Sequence, residues 1–339
     1  MDVRSFCAQS RVLVVAGKGG VGKTTMAAAL ARMAADAGLS VLVVELEGRT
    51  GVSAAFGHAT ALAYDATILS AAGATVVEDG ADPPAGAVPP GTVHARMITP
   101  DDALLEYLAD HGMKRISKRL VSSGIIDVVA GAIPGIRDIL VLGKIKQLER
   151  ERVADLIIVD APATGHAMTF LTSASGLLAA ARGGPVRAQA ADVVELLTDP
   201  SRCQVVLVTL PEEMPVNEAV EAAYRLEDEV GVALGPIIVN GIDEPPGQVG
   251  LRAAGAAARA GVAVDATTEA ALDAAWAFRH GRVSLQAEQA ARLATELPLP
   301  QLRAPFVFSA TIGPAELEAL ATSLARGIAA IPQHEPVAP

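Results

Sequence analysis

The apolar run Arg11–Ala16 leads directly into Gly17-Lys18-Gly19-Gly20-Val21-Gly22-Lys23-Thr24-Thr25, and the stretch Thr24–Ala37 that follows is rich in alanine. A run this short and continuously apolar reads as a strand covered on both faces, and the alanine-rich stretch reads as a helix. The loop between them matches G-x-x-x-x-G-K-[ST] in the strand–loop–helix context that gives the pattern its meaning. Glycines let backbone N–H groups wrap phosphate oxygens without interference from a Cβ. The helix that starts near Gly22 adds the positive end of its dipole. In such a loop Lys23 contacts the β- and γ-phosphates and the Thr24 hydroxyl ligates Mg²⁺. A chain that begins this way is expected to build an open sheet with its ligand at the strand ends.

The rest of the chain repeats that alternation. Val41–Leu46, Asp155–Asp160, Gln204–Leu210, Pro236–Asn240 and Pro305–Ser309 read as further buried strands. Val216–Val230, Thr268–Glu296 and Pro314–Ala330 read as helices. Strands alternating with helices predict an α/β fold with a doubly wound, mainly parallel sheet. The chain is expected to form one domain over 1–339. Ala72–Thr92, with Pro83-Pro84 and Pro89-Pro90, reads as an exposed loop. Residues 100–152 read as a helical insertion forming a subdomain, and 332–339 as a frayed tail.

Composition narrows the class. Hydrophobic residues make up 51% and aromatics only 3%, so the apolar content suits helices packed on a sheet rather than an aromatic cage. A net charge of −11 argues against general nucleic-acid binding, which draws its affinity from Lys and Arg on phosphates. Two cysteines, Cys7 and Cys203, exclude a disulfide framework and a Cys-rich zinc site within one chain. Their scarcity fits a reducing compartment, and a cytoplasmic protein is expected. The mean hydropathy is high, +0.38. The uncharged stretch Ala161–Ala181 is nevertheless broken by Pro162, Gly165, Gly176 and five Ser/Thr residues. A spanning helix needs about 20 predominantly apolar residues.

Two acidic strand ends complete the expected site. Glu45 and Glu47 close the second strand, and a period of two sends both to one face. Either is suited to orienting water or contacting Mg²⁺ through water. Leu156-Ile157-Ile158-Val159-Asp160 is an apolar strand ending in a carboxylate, the form that holds the Mg²⁺ shell beside such a loop. Thr164-Gly165-His166 follows closely enough to move with a γ-phosphate.

Lys18, just after the first glycine, gives G-K-G-G-x-G-K-T, which resembles the deviant phosphate loop shared by partition ATPases, nitrogenase iron proteins and the arsenite-pump ATPase family. Residues 160–166 resemble the D-T-A-P-T-G-H signature of that last family, with Ala161 and Ala163 as departures. Residues 210–218, Leu-Pro-Glu-Glu-Met-Pro-Val-Asn-Glu, are similar to its I-P-E-x-x-x-x-x-E segment. The family also includes the eukaryotic tail-anchored-protein targeting ATPase. The resemblance implies a Mg²⁺-dependent ATPase that forms a nucleotide-sandwich dimer, either a homodimer or a heterodimer with a paralogue. In it Lys18 reaches the partner's nucleotide. It also implies a protein client or a membrane partner, with peripheral association through that partner.

By the same resemblance Glu47 falls on the family's catalytic Asp, Ser53 on its Ser and Phe56 on its Phe. Asn240 falls where the family sets an Asn against adenine. Asn240-Gly241-Ile242-Asp243 also partly mimics the N-K-x-D guanine reader, without its Lys. ATP is the expected nucleotide. No three-thiol metalloid site and no C-x-x-C is recognisable. The apolar residues between Leu104 and Val129 suit either a client groove or ordinary core. The acidic, Pro-rich end weakens a membrane-positioning alternative, and the position of Cys7 weakens an iron–sulfur one. A carboxylate-activating ligase leaves no mark in the sequence.

Overall fold

A computed structural model describes residues 1–46, 51–71, 88–110, 135–162, 164–245 and 252–332. Statements about structure refer to these. Glu47, most of the expected 72–92 loop, the middle of the expected 100–152 insertion and nearly all of the 332–339 tail lie outside them.

The sheet is built from β1 (Val12–Ala16), β2 (Val41–Leu46), β3 (Thr67–Ala71), β4 (Thr92–Ile98), β5 (Leu156–Asp160), β6 (Cys203–Thr209), β7 (Ala233–Leu234), β8 (Ile237–Ile242) and β9 (Gln301–Pro305). Its order is β3-β4-β2-β5-β1-β6-β8-β9, with β7 beside β6. Every described pairing is parallel except β3 with β4. The expected mainly parallel α/β architecture is therefore present. β1 lies between β5 and β6, with Val12 in register with Ile157 on one side and Cys203 on the other. The carboxyl ends of these strands converge where an open α/β sheet takes its ligand.

Helices cover both faces. Val12, Val14, Leu42, Val44, Ile157 and Val159 face one core. Over it lie α5 (Ile136–Arg150), α6 (Thr164–Ala180), α7 (Pro185–Thr198) and α8 (Glu213–Arg225). Leu13, Val15, Val41, Val43 and Ile158 face the other, under α2 (Lys23–Asp36) and α11 (Pro314–Ala329). The short α1 (Val3–Cys7) closes that layer through Phe6 and Cys7. α2 is buried along most of its length by alanines and Met26, Leu30 and Met33, because it is sandwiched between the sheet and α11. Burial pushes the thiols of Cys7 and Cys203 up to about 12, so neither is a ready nucleophile.

Four further α-helices flank these layers among the described residues. α3 (Gly51–Ala55) follows β2, and α4 (Pro100–Asp110) packs on α5. α9 (Ala253–Ala260) buries no residue and rests on α10 (Ala266–Glu296). α10 starts from Asp265, whose carboxylate accepts hydrogen bonds from the N–H groups of Thr267 and Thr268. Its buried residues are confined to its last third: Gln286, Gln289, Ala290 and Leu293.

One expectation needs correcting. The last strand is Gln301–Pro305, not Pro305–Ser309. Leu302 and Ala304 are buried while Arg303 is exposed, so the strand alternates and lacks a continuous apolar run. The apolar residues beyond it leave the sheet, and Phe306 and Phe308 are 41% and 77% exposed. On α10, Phe278 is exposed, whereas Trp276 stacks on His280.

Candidate functional site

The phosphate loop leaves β1 and enters α2 through two glycines that no other residue replaces without rearrangement. Gly17 has φ 153, and a Cβ there would overlap the carbonyl oxygen of Val208 in β6. Gly22 caps α2 at φ 92, and its Cβ would overlap the Asn240 amide nitrogen. Both positions are left-handed and crowded, so only glycine brings the loop this close to β6 and β8. Gly19, Gly20 and Val21 form the crest between them, with Val21 buried and Gly19 and Gly20 exposed.

Lys23 opens α2 and is buried, and its Nζ donates to the Lys18 carbonyl at 2.9 Å. The ammonium is thereby held beneath the loop. Thr24 Oγ1 donates to Asp160 Oδ2 at 2.6 Å. Asp160 is the last residue of β5 and only 3% exposed. Thr25 is half-buried beside it in the first turn of α2. The loop's hydroxyl and the strand-end carboxylate, far apart in sequence, thus form one oxygen pair at the mouth of α2.

Glu45 pairs in register with Asp160 across β2 and β5, which puts both carboxylates on the α2 face of the sheet. Glu45 is fully buried, and its Oε1 accepts from the Val52 N–H at 2.8 Å, tying β2 to the first turn of α3. Gly51, in that same turn, packs against the Thr24 side chain. Glu47 lies outside the described residues. Thr164, Gly165 and His166 form the first turn of α6 just after Asp160, with Gly165 and His166 exposed.

Lys18 is exposed at the loop crest and forms an ion pair with Glu218 on α8 of its own chain. Asn240, near the end of β8, donates from Nδ2 to the Val21 carbonyl at 2.9 Å and so braces the loop. The structure brings the described candidates, Gly17 to Thr25, Glu45, Asp160 and Asn240, into one region. Reading the sequence missed Gly51 and the ion-pair role of Glu218. Glu218 lies 200 residues from Lys18, and neither residue carries a local signal that pairs them.

The residues present suit a Mg²⁺–nucleoside triphosphate. The cradle has no room for a Cβ at Gly17 or Gly22, a buried lysine lies beneath it, and a hydroxyl–carboxylate pair offers hard oxygen donors. Among the described residues no group of three or more His, Cys, Asp or Glu is arranged as a metal site. No helix among the described residues is long and apolar enough to cross a membrane.

Comparison with known proteins gives the same direction. A family model described as anion-transporting ATPase matches residues 10–180. ATPase BagA of Mycobacterium tuberculosis is 37% identical over 244 residues, 68% of this chain and 64% of that protein. A putative arsenical pump-driving ATPase of Halobacterium salinarum is 27% identical over 68% of this chain and 35% of its own length. The ATPase get3 of Schizosaccharomyces japonicus is 28% identical over 47% of this chain and 42% of its own. The chain therefore spans less than two thirds of the length of these relatives. The family match covers just over half of the sequence, and the chain belongs to the anion-transporting ATPase family.

Proposed function

We propose that this chain is an ATP-hydrolysing molecular switch that dimerises around nucleotide and drives a partner protein or a transport step. The observation that carries the reading is the Thr24–Asp160 pair at 2.6 Å, set at the mouth of a glycine cradle that holds the buried Lys23. Backbone N–H groups of Gly19 to Thr24 would hold the triphosphate, with the α2 dipole behind them. Lys23 would neutralise the β- and γ-phosphates. Thr24 and, through water, Asp160 would hold Mg²⁺, which when bound offsets charge building up on the transferred phosphoryl group.

Other residues would convert hydrolysis into movement. Glu45 ties β2 to α3, and α3 touches Thr24 through Gly51. A shift at Thr24 would therefore reach the segment that carries Glu47, which we assign to orienting the attacking water. Thr164, Gly165 and His166 would respond on the other side of Asp160. Asn240 would brace the loop while lying near the base. Lys18 would leave Glu218 and reach the partner's nucleotide, so dimerisation would exchange an ion pair within one chain for a contact between two. The partner would be a second copy or a paralogue.

Native mass measurement with a non-hydrolysable ATP analogue and Mg²⁺ tests this reading. The expected species is a dimer that forms with the analogue and is lost with Lys18→Ala. A chain that stays monomeric with the analogue, alone and among its native cellular partners, contradicts the dimer reading.

A further inference from the structure

Asp243 follows Asn240 in the N-x-x-D spacing, at the strand end that braces the phosphate loop. A carboxylate in that place can accept the N1–H and N2–H of guanine, and this two-point contact takes both of its oxygens. Here one of those two oxygens, Oδ2, is already committed. Arg282 Nε lies 2.6 Å from Asp243 Oδ2. Gln286 Nε2 lies 3.3 Å from the same oxygen, and Gln286 Oε1 accepts from the Asp243 N–H at 2.8 Å. Gln286 Nε2 also donates to the Gly241 carbonyl at 3.1 Å. Asp243 is 6% exposed and Gln286 5%, so little water competes for these contacts.

The two clamping residues are four apart on α10 and share a face. Arg279, one turn earlier, lies over the Phe308 ring, and Arg282 also lies over the Phe306 ring. Phe306 flanks the same strand end, with its N–H donating to the Ile242 carbonyl at 2.8 Å. One helical face thus grips both the carboxylate and the aromatic rings beside it.

We infer that Arg282 and Gln286 make the site adenine-selective by holding the Asp243 carboxylate away from a guanine edge. They are positioning residues that act through Asp243. The inference rests on the reading of the phosphate loop as a nucleotide site. Adenine has no N1–H or N2–H to satisfy, so the clamped carboxylate withholds nothing from it. Guanine would bury two donors beside a carboxylate with only one oxygen left to accept, a mismatch of the kind that sites use to reject a close analogue.

The test is binding of fluorescent ADP and GDP, with Mg²⁺, to the full chain and three variants: Arg282→Gln, Asp243→Asn and the double variant. The readout is the GDP-to-ADP affinity ratio, which a merely structural role would not move. Wild type is expected to favour ADP by at least about tenfold. Arg282→Gln narrows the ratio by about tenfold through tighter GDP binding. The double variant loses that gain, because the gain needs the carboxylate. Should Arg282→Gln not fold, Arg282→Lys keeps the charge, drops the planar donor set and narrows the ratio partway. An unmoved ratio in the folded Arg282 variants, or a gain that survives in the double variant, overturns the inference. Equal or tighter GDP binding by wild type overturns it while leaving the nucleotide site standing. Binding of neither nucleotide overturns the nucleotide site itself, and the inference with it.

Discussion

Gly17 shows how much of this fold is decided at single residues. Its φ of 153 and its approach to the Val208 carbonyl let the loop turn out of β1 against the neighbouring strand. The obstacle to a larger residue is backbone in a central strand, which cannot swing aside. Gly17→Ala should therefore destabilise the protein by about 2 kcal/mol and weaken nucleotide binding with it. Chemical denaturation beside a nucleotide titration reads both. Gly22 differs, because the atom in its way is the end of the Asn240 side chain, which can yield. The candidate site residues contiguous in sequence, Gly17 to Thr25 and the Leu156–Asp160 strand, were legible because the phosphate-loop pattern sets that spacing, and the structure brings them together. Asp243 was legible only as an N-x-x-D pattern. Its clamp lies on α10, with Gln286 43 residues away, and nothing local marks it.

At the scale of elements, strands covered on both faces declare themselves and the others do not. β2 and β5 follow their apolar runs closely, because helices lie above and below them. β4, Thr92-Val-His-Ala-Arg-Met-Ile, escaped notice because His94 and Arg96 interrupt the run. Arg96 is nonetheless buried, with its guanidinium 4.5 Å from the centre of the Tyr64 ring. The Tyr64 hydroxyl donates to Glu106 on α4, and Lys144 Nζ on α5 donates to Glu106 at 2.6 Å. This network ties α4 to the sheet side and to α5. Burial raises the Glu106 carboxyl, but the hydrogen bonds from Lys144 and Tyr64 outweigh it and leave it below its usual value. A lowered folded value means the contribution is present above the unfolded carboxylate pKa, about 4.3, and is lost as pH falls through the folded value. Wild type should therefore lose more stability than Glu106→Gln between about pH 5 and pH 3. Equal acid sensitivity in urea unfolding would contradict this.

Across the whole molecule, the sheet order explains why one end of the protein gathers the candidate site. β2, β5, β1, β6 and β8 are adjacent and parallel, so Glu45, Asp160, Gly17 and Asn240 all emerge at their carboxyl ends. Helices α2, α3, α6 and α8 each touch that end through Lys23, Gly51, the Thr164–His166 turn and Glu218. α10 joins it through Arg282 and Gln286, and the part of the helix before Gln286 has no buried residue. A nucleotide bound as proposed would thus have short routes to several surfaces. The most direct test is phosphate release from ATP by the purified full chain, with and without Mg²⁺, beside Lys23→Ala. Mg²⁺-dependent release that falls at least about 100-fold in Lys23→Ala is the predicted result. No release by wild type with Mg²⁺ and its partners present, or full release by Lys23→Ala, would contradict the account.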